Sequence, residues 1–370
     1  MKRVAMAPFR GHNEYLFYIL SDPETLKLAH KRASKGKHKY SVVKYWDEHL
    51  DECCEILSND LRNKTYCVWG YHVFEKPERG KIRLIHSLKY YKDRVVQWAI
   101  ILTIYPYISK QFTKDTYSAI PGKGQINCMI NILNAVITDP EGCKYYLKTD
   151  IHHYYQSINH NSLKNTYRMY FKDKDLLWLI DLIIDSIDTV KGIPIGSLVS
   201  QYSGNLYLSQ FDHYIKEIVG VKHYFRYMDD MVIFYDNKIE LHRIREIIQN
   251  TLKECYGLEL KNNYQIYNLK KENIDFVGYV VSCNGRVRVR RSTKIRYARG
   301  CVGCCKYPSE HNVASCESRN GLVMHAHTYM LQKTYIDRIR VTINKKKRII
   351  KTLNNYIDKH LKYNKKGNVQ

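Results

Sequence analysis

The segment His223–Tyr235 (HYFRYMDDMVIFY) constrains this chain more than any other. Two adjacent carboxylates, Asp229 and Asp230, interrupt a run that is otherwise apolar and β-prone. A carboxylate in such surroundings is costly unless it holds a metal or another cation. A tight turn between strands at His223–Arg226 and Met231–Tyr235 pushes both side chains to one edge of a sheet. An Asp-Asp pair also serves as an ordinary β-turn, because Asp is a common turn residue. The hydrophobic flanks and the aromatic Tyr227 before Met228 favour a site over a plain turn.

A third carboxylate has a similar setting. Tyr145–Asp150 is an apolar-rich strand ending in Asp150, and the aromatic stretch His152–Tyr155 follows. Alone, this pattern also fits a helix cap. Together the two segments supply three carboxylates at the ends of separate strands. Two hard divalent cations need such a set when they clamp an attacking hydroxyl and a leaving pyrophosphate. Mg²⁺ takes few protein ligands and fills its shell with phosphates and water, so three carboxylates suffice. A third element, Gly192–Gln201 (GIPIGSLVSQ), places a glycine turn before a helix. Gly196 allows a close approach to its backbone, and helix N-termini favour phosphate; an ordinary loop-to-helix junction reads the same way.

Charge points to the class of partner. Lys and Arg number 60 against 36 Asp and Glu, a formal net charge of +24. Such an excess suits a polyanion, with nucleic acid ahead of an anionic membrane surface. The longest apolar run, near Trp98–Ile108, is too short for a bilayer and is broken by Tyr105 and Pro106. No apolar stretch follows the first charges, so we expect no signal peptide, no membrane partner and a cytoplasmic location. The 11 cysteines are odd in number, in a long chain without an export signal, and fit reduced thiols. Cys301, Cys304 and Cys305, with Cys316, His311, His325 and His327 nearby, have partial zinc-like spacing, but no second C-x-x-C completes it. Free thiols are the favoured reading.

The remaining pattern is α+β without strict βαβ alternation. His30–Tyr40 is a basic loop. Val43, Trp46, Leu50, Cys53, Leu57 and Leu61 mark one face of a helix. Short strands are expected at Tyr66–Glu75 and Ile82–His86, and helices at Tyr91–Ile108 (ended by Pro106), Asp175–Ile187, Ser197 to about Val219, and Leu241–Tyr256. A hairpin is expected at Asp275–Ser282 and Arg286–Arg290. The basic stretch Lys345–Lys366 suits either a nucleic-acid grip or a solvated face.

Asp150 and Tyr227-Met228-Asp229-Asp230, in this order and spacing, resemble the motifs of reverse transcriptases. Lys81–Gln97, with its Asp93-Arg94-Val95-Val96 run, is similar to the fingers segment of bacterial members. Thr116–Gly124 is similar to the next family motif, and Ile274–Tyr279 (IDFVGY) resembles the primer-grip hairpin. The resemblance covers about Glu75–Arg290 and implies a right-hand polymerase fold with fingers, a palm carrying an antiparallel sheet, and a helical thumb. The division it implies is a basic N-terminal arm and helix at 1–68, interleaved fingers and palm at 69–282, and a thumb with a basic tail at 283–370.

The resemblance also implies roles. Asp150, Asp229 and Asp230 match the catalytic metal-binding triad, with the Ile151 carbonyl a further ligand to two Mg²⁺ ions, for which Mn²⁺ can substitute. Tyr155 matches the aromatic gate against a ribose 2′-OH; a core tyrosine is the plainer reading. Arg83 and Lys81 match the cations on the incoming triphosphate, with Ile195, Gly196 and Gln201 beside the nucleotide. Most relatives place Gln where Ile195 stands and Pro where Gln201 stands. Ile-Gly-Ser-Leu-Val-Ser-Gln resembles instead the reverse transcriptases of diversity-generating retroelements, which copy a template-repeat RNA into adenine-mutagenised cDNA. That type implies template RNA, a primer/cDNA duplex, deoxynucleotide triphosphates and a small basic accessory variability protein that forms a ring. The alternatives are a phage-defence or retron-like enzyme, or a catalytically dead RNA-binding relative. Where many relatives carry lysines after a Leu-x-Leu, this chain reads Leu258-Glu259-Leu260-Lys261, and the register of Lys261 against that motif is open.

Overall fold

The computed structural model describes residues 15–78, 81–187, 189–345, 357–359 and 361. In chain order the elements are α1 (Leu16–Ser21), α2 (Pro23–Ala33), α3 (Ser41–Glu48), α4 (Leu50–Arg62), β1 (Tyr71–Glu78), β2 (Lys81–Leu88), α5 (Tyr91–Ile108) and β3 (Thr116–Tyr117). Then come α6 (Gln125–Thr138), β4 (Tyr145–Asp150), α7 (Tyr154–Ser157), α8 (His160–Tyr170), α9 (Lys174–Ile184), α10 (Leu198–Tyr207) and α11 (Ser209–His213). The rest are β5 (His223–Tyr227), β6 (Asp230–Tyr235), α12 (Lys238–Thr251), β7 (Gln265–Asn268), β8 (Ile274–Phe276), β9 (Tyr279–Val281), β10 (Val287–Val289), α13 (Arg291–Lys306), α14 (Glu310–Val323) and α15 (Tyr329–Lys345).

These elements form two compact units, each assembled from separated stretches of chain. One comprises the chain through Ile120, Asp150–Val221 and Ile244–Asn263; the other comprises Pro121–Thr149, Lys222–Arg243 and the chain from Tyr264. In the first, α5 is apolar on all sides, with Val95, Val96, Ala99, Ile100, Ile101, Ile104 and Ile108 buried. A helix of that kind belongs in a core, and α1, α2 and α10 pack around it. Asp22 and Asp173 cap α2 and α9 with side-chain acceptors, which satisfies amide donors at the helix starts. The β1–β2 ribbon is antiparallel, with Tyr71 opposite Leu88 and Glu78 opposite Lys81.

In the second unit, four strands run in the order β5-β6-β4-β7. Leu147, Tyr224, Met231, Val232, Ile233 and Phe234 are buried in this sheet, with α6 packed on β5. A separate three-stranded meander has the order β10-β9-β8, and α13 packs with α14 and α15.

Several expected elements differ in extent. The helical face Val43–Leu61 spans two helices, because His49 leaves helical geometry between α3 and α4. The first strand begins at Tyr71; Tyr66 is buried instead, its hydroxyl donating to Asp93 Oδ1 at 2.8 Å. Pro106 does not end α5, which continues to Ile108. In a last turn proline forfeits one hydrogen bond rather than breaking a helix in two. The helix expected over Ser197–Val219 is α10, α11 and a wide π turn at Tyr214–Ile218. The expected hairpin is the three-stranded meander, because β8 at Ile274–Phe276 turns back at Val277-Gly278, both with positive φ. Helices α6 and α8 were not anticipated. Most of Lys345–Lys366 lies outside the described residues.

Candidate active site

Asp150 is the last residue of β4, and the chain continues as an isolated antiparallel bridge between Ile151 and Leu260. Two backbone bonds close this bridge: Lys261 N–H to the Asp150 carbonyl at 2.8 Å, and His152 N–H to the Glu259 carbonyl at 2.7 Å. Ile151 is fully buried and spends neither its N–H nor its carbonyl on the bridge. The same register brings the Lys261 ammonium onto Asp150 Oδ2. The other carboxylate oxygen, Asp150 Oδ1, is buried and has no hydrogen-bond partner among the described residues. A buried, unpartnered carboxylate oxygen costs about 1–3 kcal/mol or more. It is the donor a hard divalent cation selects, so this end of β4 fits the metal expected from the sequence.

Asp229 and Asp230 lie where β5 turns into β6, with Tyr227 opposite Asp230. The turn is strained, since Met228 has φ of +56° and a left-handed residue with a side chain costs about 1–2 kcal/mol. Arg226 offsets this. It is fully buried in the strand before the turn, and its guanidinium donates to the Met228 carbonyl at 2.9 Å. Tyr227, Asp229 and Asp230 are half-buried, and Met228 is buried beneath them. β4 ends at Asp150, and Asp229 and Asp230 stand at the turn that joins β5 to β6, so each of the three acids lies at a strand end. Among the described residues, no three His, Cys, Asp or Glu side chains gather closely enough to form a ready-made metal cage.

The Gly192–Gln201 element is pinned from several sides. His86 N–H on β2 donates to the Ile195 carbonyl at 2.8 Å. Gly196 has φ of +113°, and a Cβ there would meet the His86 carbonyl oxygen at 2.8 Å. The close approach that its glycine allows is therefore made by β2 itself. The start of α10 is also occupied: Gln97 Oε1 accepts from Leu198 N–H at 2.8 Å and from the Ser197 hydroxyl at 3.2 Å. Ser197 Oγ accepts from Ser200 N–H at 3.4 Å. Ile195 is half-buried, whereas Gly196 and Gln201 are exposed.

Tyr154 and Tyr155 divide the roles of core and surface. Tyr154 is buried and its hydroxyl donates to the Gly204 carbonyl at 2.5 Å. Tyr155 is half-buried, and its ring edge and hydroxyl lie 3.6–3.7 Å from where a Cβ on Gly204 would stand. The Tyr155 carbonyl accepts from Ile193 N–H at 2.9 Å, linking it to the loop of Ile195. Lys81 and Arg83 have their backbones on β2, opposite Glu78 and Lys76; their side chains lie outside the described residues.

Sequence reasoning left Lys261 in doubt and missed Arg226 and Gln97. The antiparallel bridge places Lys261 against Asp150. Arg226 carried a readable signal, since an arginine inside an apolar strand needs a carbonyl or acid partner. Gln97 gave none, because the donors to its Oε1 come from residues about a hundred positions later.

Cys301, Cys304 and Cys316 are buried free thiols. A hydrogen bond with Cys301, together with burial, pushes the Cys316 thiol up to about 12, against the opposing effect of its contact with Cys304. His327 Nδ1 accepts from Val287 N–H at 3.0 Å.

The family model for "Reverse transcriptase (RNA-dependent DNA polymerase)" matches residues 74–281. The COX1/OXI3 intron 2 protein of Saccharomyces cerevisiae is 20% identical over 73% of this chain and 39% of its own length. Protein YkfC of Escherichia coli is 23% identical over 55% of this chain and 57% of its own. The chain thus spans less than two thirds of these relatives. Among solved structures, apo telomerase from Candida tropicalis superposes with a TM-score of 0.50 at 13% identity, covering 78% of this chain and 59% of that one. Telomerase from Candida albicans in complex with a telomeric RNA fragment gives 0.50 at 11% identity, over 81% and 59%. At such identities the likeness concerns the fold, which is that of a right-hand polymerase with mixed helices and antiparallel sheets. Among the described residues no helix is long and apolar enough to cross a membrane.

Proposed function

The chain belongs to the reverse transcriptase family, and from that premise we propose that it extends a DNA primer on an RNA template, with Asp150, Asp229 and Asp230 as its catalytic carboxylates. The observation that carries this reading is Asp150 Oδ1, a carboxylate oxygen buried at a strand end with no hydrogen-bond partner among the described residues. Two Mg²⁺ ions, or Mn²⁺ in their place, supply there the charge that activates a 3′-hydroxyl and neutralises a departing pyrophosphate. The protein's part is to hold the acids. β4 and the Ile151–Leu260 bridge fix Asp150, and the Ile151 carbonyl is a further ligand. The β5–β6 turn, held by Arg226, fixes Asp229 and Asp230, with Tyr227 and Met228 shaping the turn.

The remaining residues serve the nucleotide. Arg83 and Lys81 bind the triphosphate, as guanidinium and ammonium donors suit phosphate oxygens. Tyr155 sets its ring where a ribose 2′-OH would collide. Ile195, Gly196 and Gln201 border the nascent base pair. We assign the chain to the diversity-generating type because Ile195 and Gln201 replace the Gln and Pro of most relatives. On that reading it copies a template-repeat RNA into adenine-mutagenised cDNA, with a small basic ring-forming protein as partner.

The test is primer extension with deoxynucleotides on an RNA template by Asp150→Asn and Asp229→Asn. Loss of a charge-stabilising ligand costs about 10²–10³-fold or more, while RNA binding stays intact. Robust extension by either variant refutes the assignment.

A further inference from the structure

His160 belongs to no part of the proposed active site, yet its ring is buried and engaged at both nitrogens. It is the first residue of α8. Nε2 lies 2.6 Å from the Gly192 carbonyl, and Nδ1 lies 3.3 Å from Oδ1 of Asp185, just past the end of α9. A carbonyl only accepts, so Nε2 carries a proton. The Lys164 ammonium holds the other Asp185 oxygen, so Asp185 is a carboxylate and only accepts as well. Both nitrogens therefore donate, and the ring spans from the end of α9 to the Gly192–Gln201 element.

The main chain secures only part of this junction. An isolated antiparallel bridge joins Asn159 to Lys191; beside it, His160 N–H donates to the Val190 carbonyl at 3.2 Å and Gly192 N–H to the Ile158 carbonyl at 2.8 Å. The next peptide unit, between Gly192 and Ile193, lies beyond the bridge. Its N–H donates to the Tyr155 carbonyl at 2.9 Å, and its carbonyl takes the His160 ring. Gly192 has φ of +100° and no Cβ to limit rotation, so this peptide can turn over unless both its ends are bonded. Gly192 and Ile193 are buried, where a carbonyl without a donor is costly. A leucine or phenylalanine in place of His160 would fill the space and leave that carbonyl bare, so packing alone does not call for this side chain.

The far end of the same loop meets the same neighbours. His86 N–H holds the Ile195 carbonyl at 2.8 Å, and the His86 ring packs edge-on with Tyr71 at 5.8 Å. The Tyr71 hydroxyl shares a hydrogen bond of 2.7 Å with the hydroxyl of Ser186, next to Asp185. Asp185 thus reaches Gly192 through His160, and Ser186 reaches Ile195 through Tyr71 and His86. We propose that His160 is a positioning residue, a role that rests on the reading of Ile195 and Gly196 as neighbours of the nascent base pair. Its Nε2–H locks the Gly192–Ile193 peptide in the orientation that carries Ile195 and Gly196 to that pair, and Asp185 holds the ring to the task.

The experiment pairs two measurements on the full chain: single-nucleotide primer extension on an RNA template, and hydrogen–deuterium exchange over residues 190–197 without nucleotide. His160→Phe fills the site and donates nothing. Its nucleotide KM should rise about tenfold, the scale of one lost hydrogen bond from a charged donor, with kcat and hybrid affinity within about twofold. Exchange over 190–197 should quicken by about tenfold as well. His160→Gln, whose amide N–H can reach the same carbonyl, should restore most of both values, whereas a packing role predicts no such rescue. Asp185→Ala, at an exposed side chain, should shift both readings in the same direction and by less. Unchanged nucleotide KM and exchange in His160→Phe overturn the proposal, as does a Gln variant no different from the Phe variant. If His160→Phe does not fold, Asp185→Ala decides by the same two readings. Absence of extension by the unaltered chain refutes the polymerase reading instead, and exchange then still reports whether His160 holds the loop.

Discussion

Lys261 is tied to Asp150 twice: its backbone N–H donates to the Asp150 carbonyl at 2.8 Å, and its ammonium pairs with Oδ2 of the same residue. One positive charge thus sits on the carboxylate from which we derive metal binding, and it leaves Oδ1 empty-handed. A divalent cation taking both oxygens competes with that ammonium. Lys261→Met should therefore bind Mn²⁺ more tightly in the absence of nucleotide, by about tenfold if the pair is worth ~1.4 kcal/mol. Electron paramagnetic resonance titration of free Mn²⁺ measures this without turnover. An equal or weaker affinity means that Lys261 does not stand in for the metal's charge.

Gly196 is a second point where one atom decides. Its φ of +113° and the His86 carbonyl 2.8 Å from a Cβ both oppose any side chain. Gly196→Ala should lower unfolding free energy by about 1–3 kcal/mol, seen as a reduced denaturation midpoint at unchanged m. A midpoint equal to that of the unaltered chain shows that β2 and this loop yield freely.

The thiols should sort by burial. Cys67, Cys255 and Cys283 are exposed, whereas Cys54, Cys128, Cys143, Cys301, Cys304 and Cys316 are buried. Burial pushes the Cys54 thiol up to about 11 and Cys143 up to about 12; at pH 8 both stay protonated and unreactive, since the thiolate is the nucleophile. Mass spectrometry after brief alkylation at pH 8 should find the exposed three modified first and the buried six only after denaturation. Early modification of Cys301, Cys304 or Cys316 contradicts the packing of α13 on α14.

Tyr155 should set sugar selection. Tyr155→Val should raise the ratio of ribonucleotide to deoxynucleotide incorporation on one primer. A ratio unmoved by the substitution places the gate elsewhere.

Legibility in the sequence followed locality. The β5–β6 hairpin and its acids were readable because alternation, turn and charge all lie within thirteen consecutive residues, His223–Tyr235. Asp150 was readable as a strand end for the same reason. The partners that hold these residues were not. Lys261 reaches Asp150 across 111 positions, and Gln97 meets Leu198 across 101; no local period encodes either contact. Helices α6 and α8 escaped notice because α6 follows a Gly-rich loop without a capping side chain and α8 carries only His160, Leu163 and Tyr167 on its buried face. Pro106 misled because its effect depends on how many turns follow it.

Ile195 offers the sharpest test of what kind of polymerase this is. In most relatives a Gln there can hydrogen-bond beside the nascent pair; Ile195 presents a stiff, β-branched, apolar surface. Its backbone is held by His86 N–H at 2.8 Å and by Gly196 against β2, so a new side chain inherits a fixed position. Losing ~1.4 kcal/mol of differential transition-state binding loses tenfold in selectivity. Ile195→Gln should therefore lower misincorporation, most of all opposite template adenine, and leave extension active. Sequencing cDNA made by both forms on one adenine-containing RNA measures it. An equal or higher adenine error rate in the variant removes Ile195 from the control of fidelity.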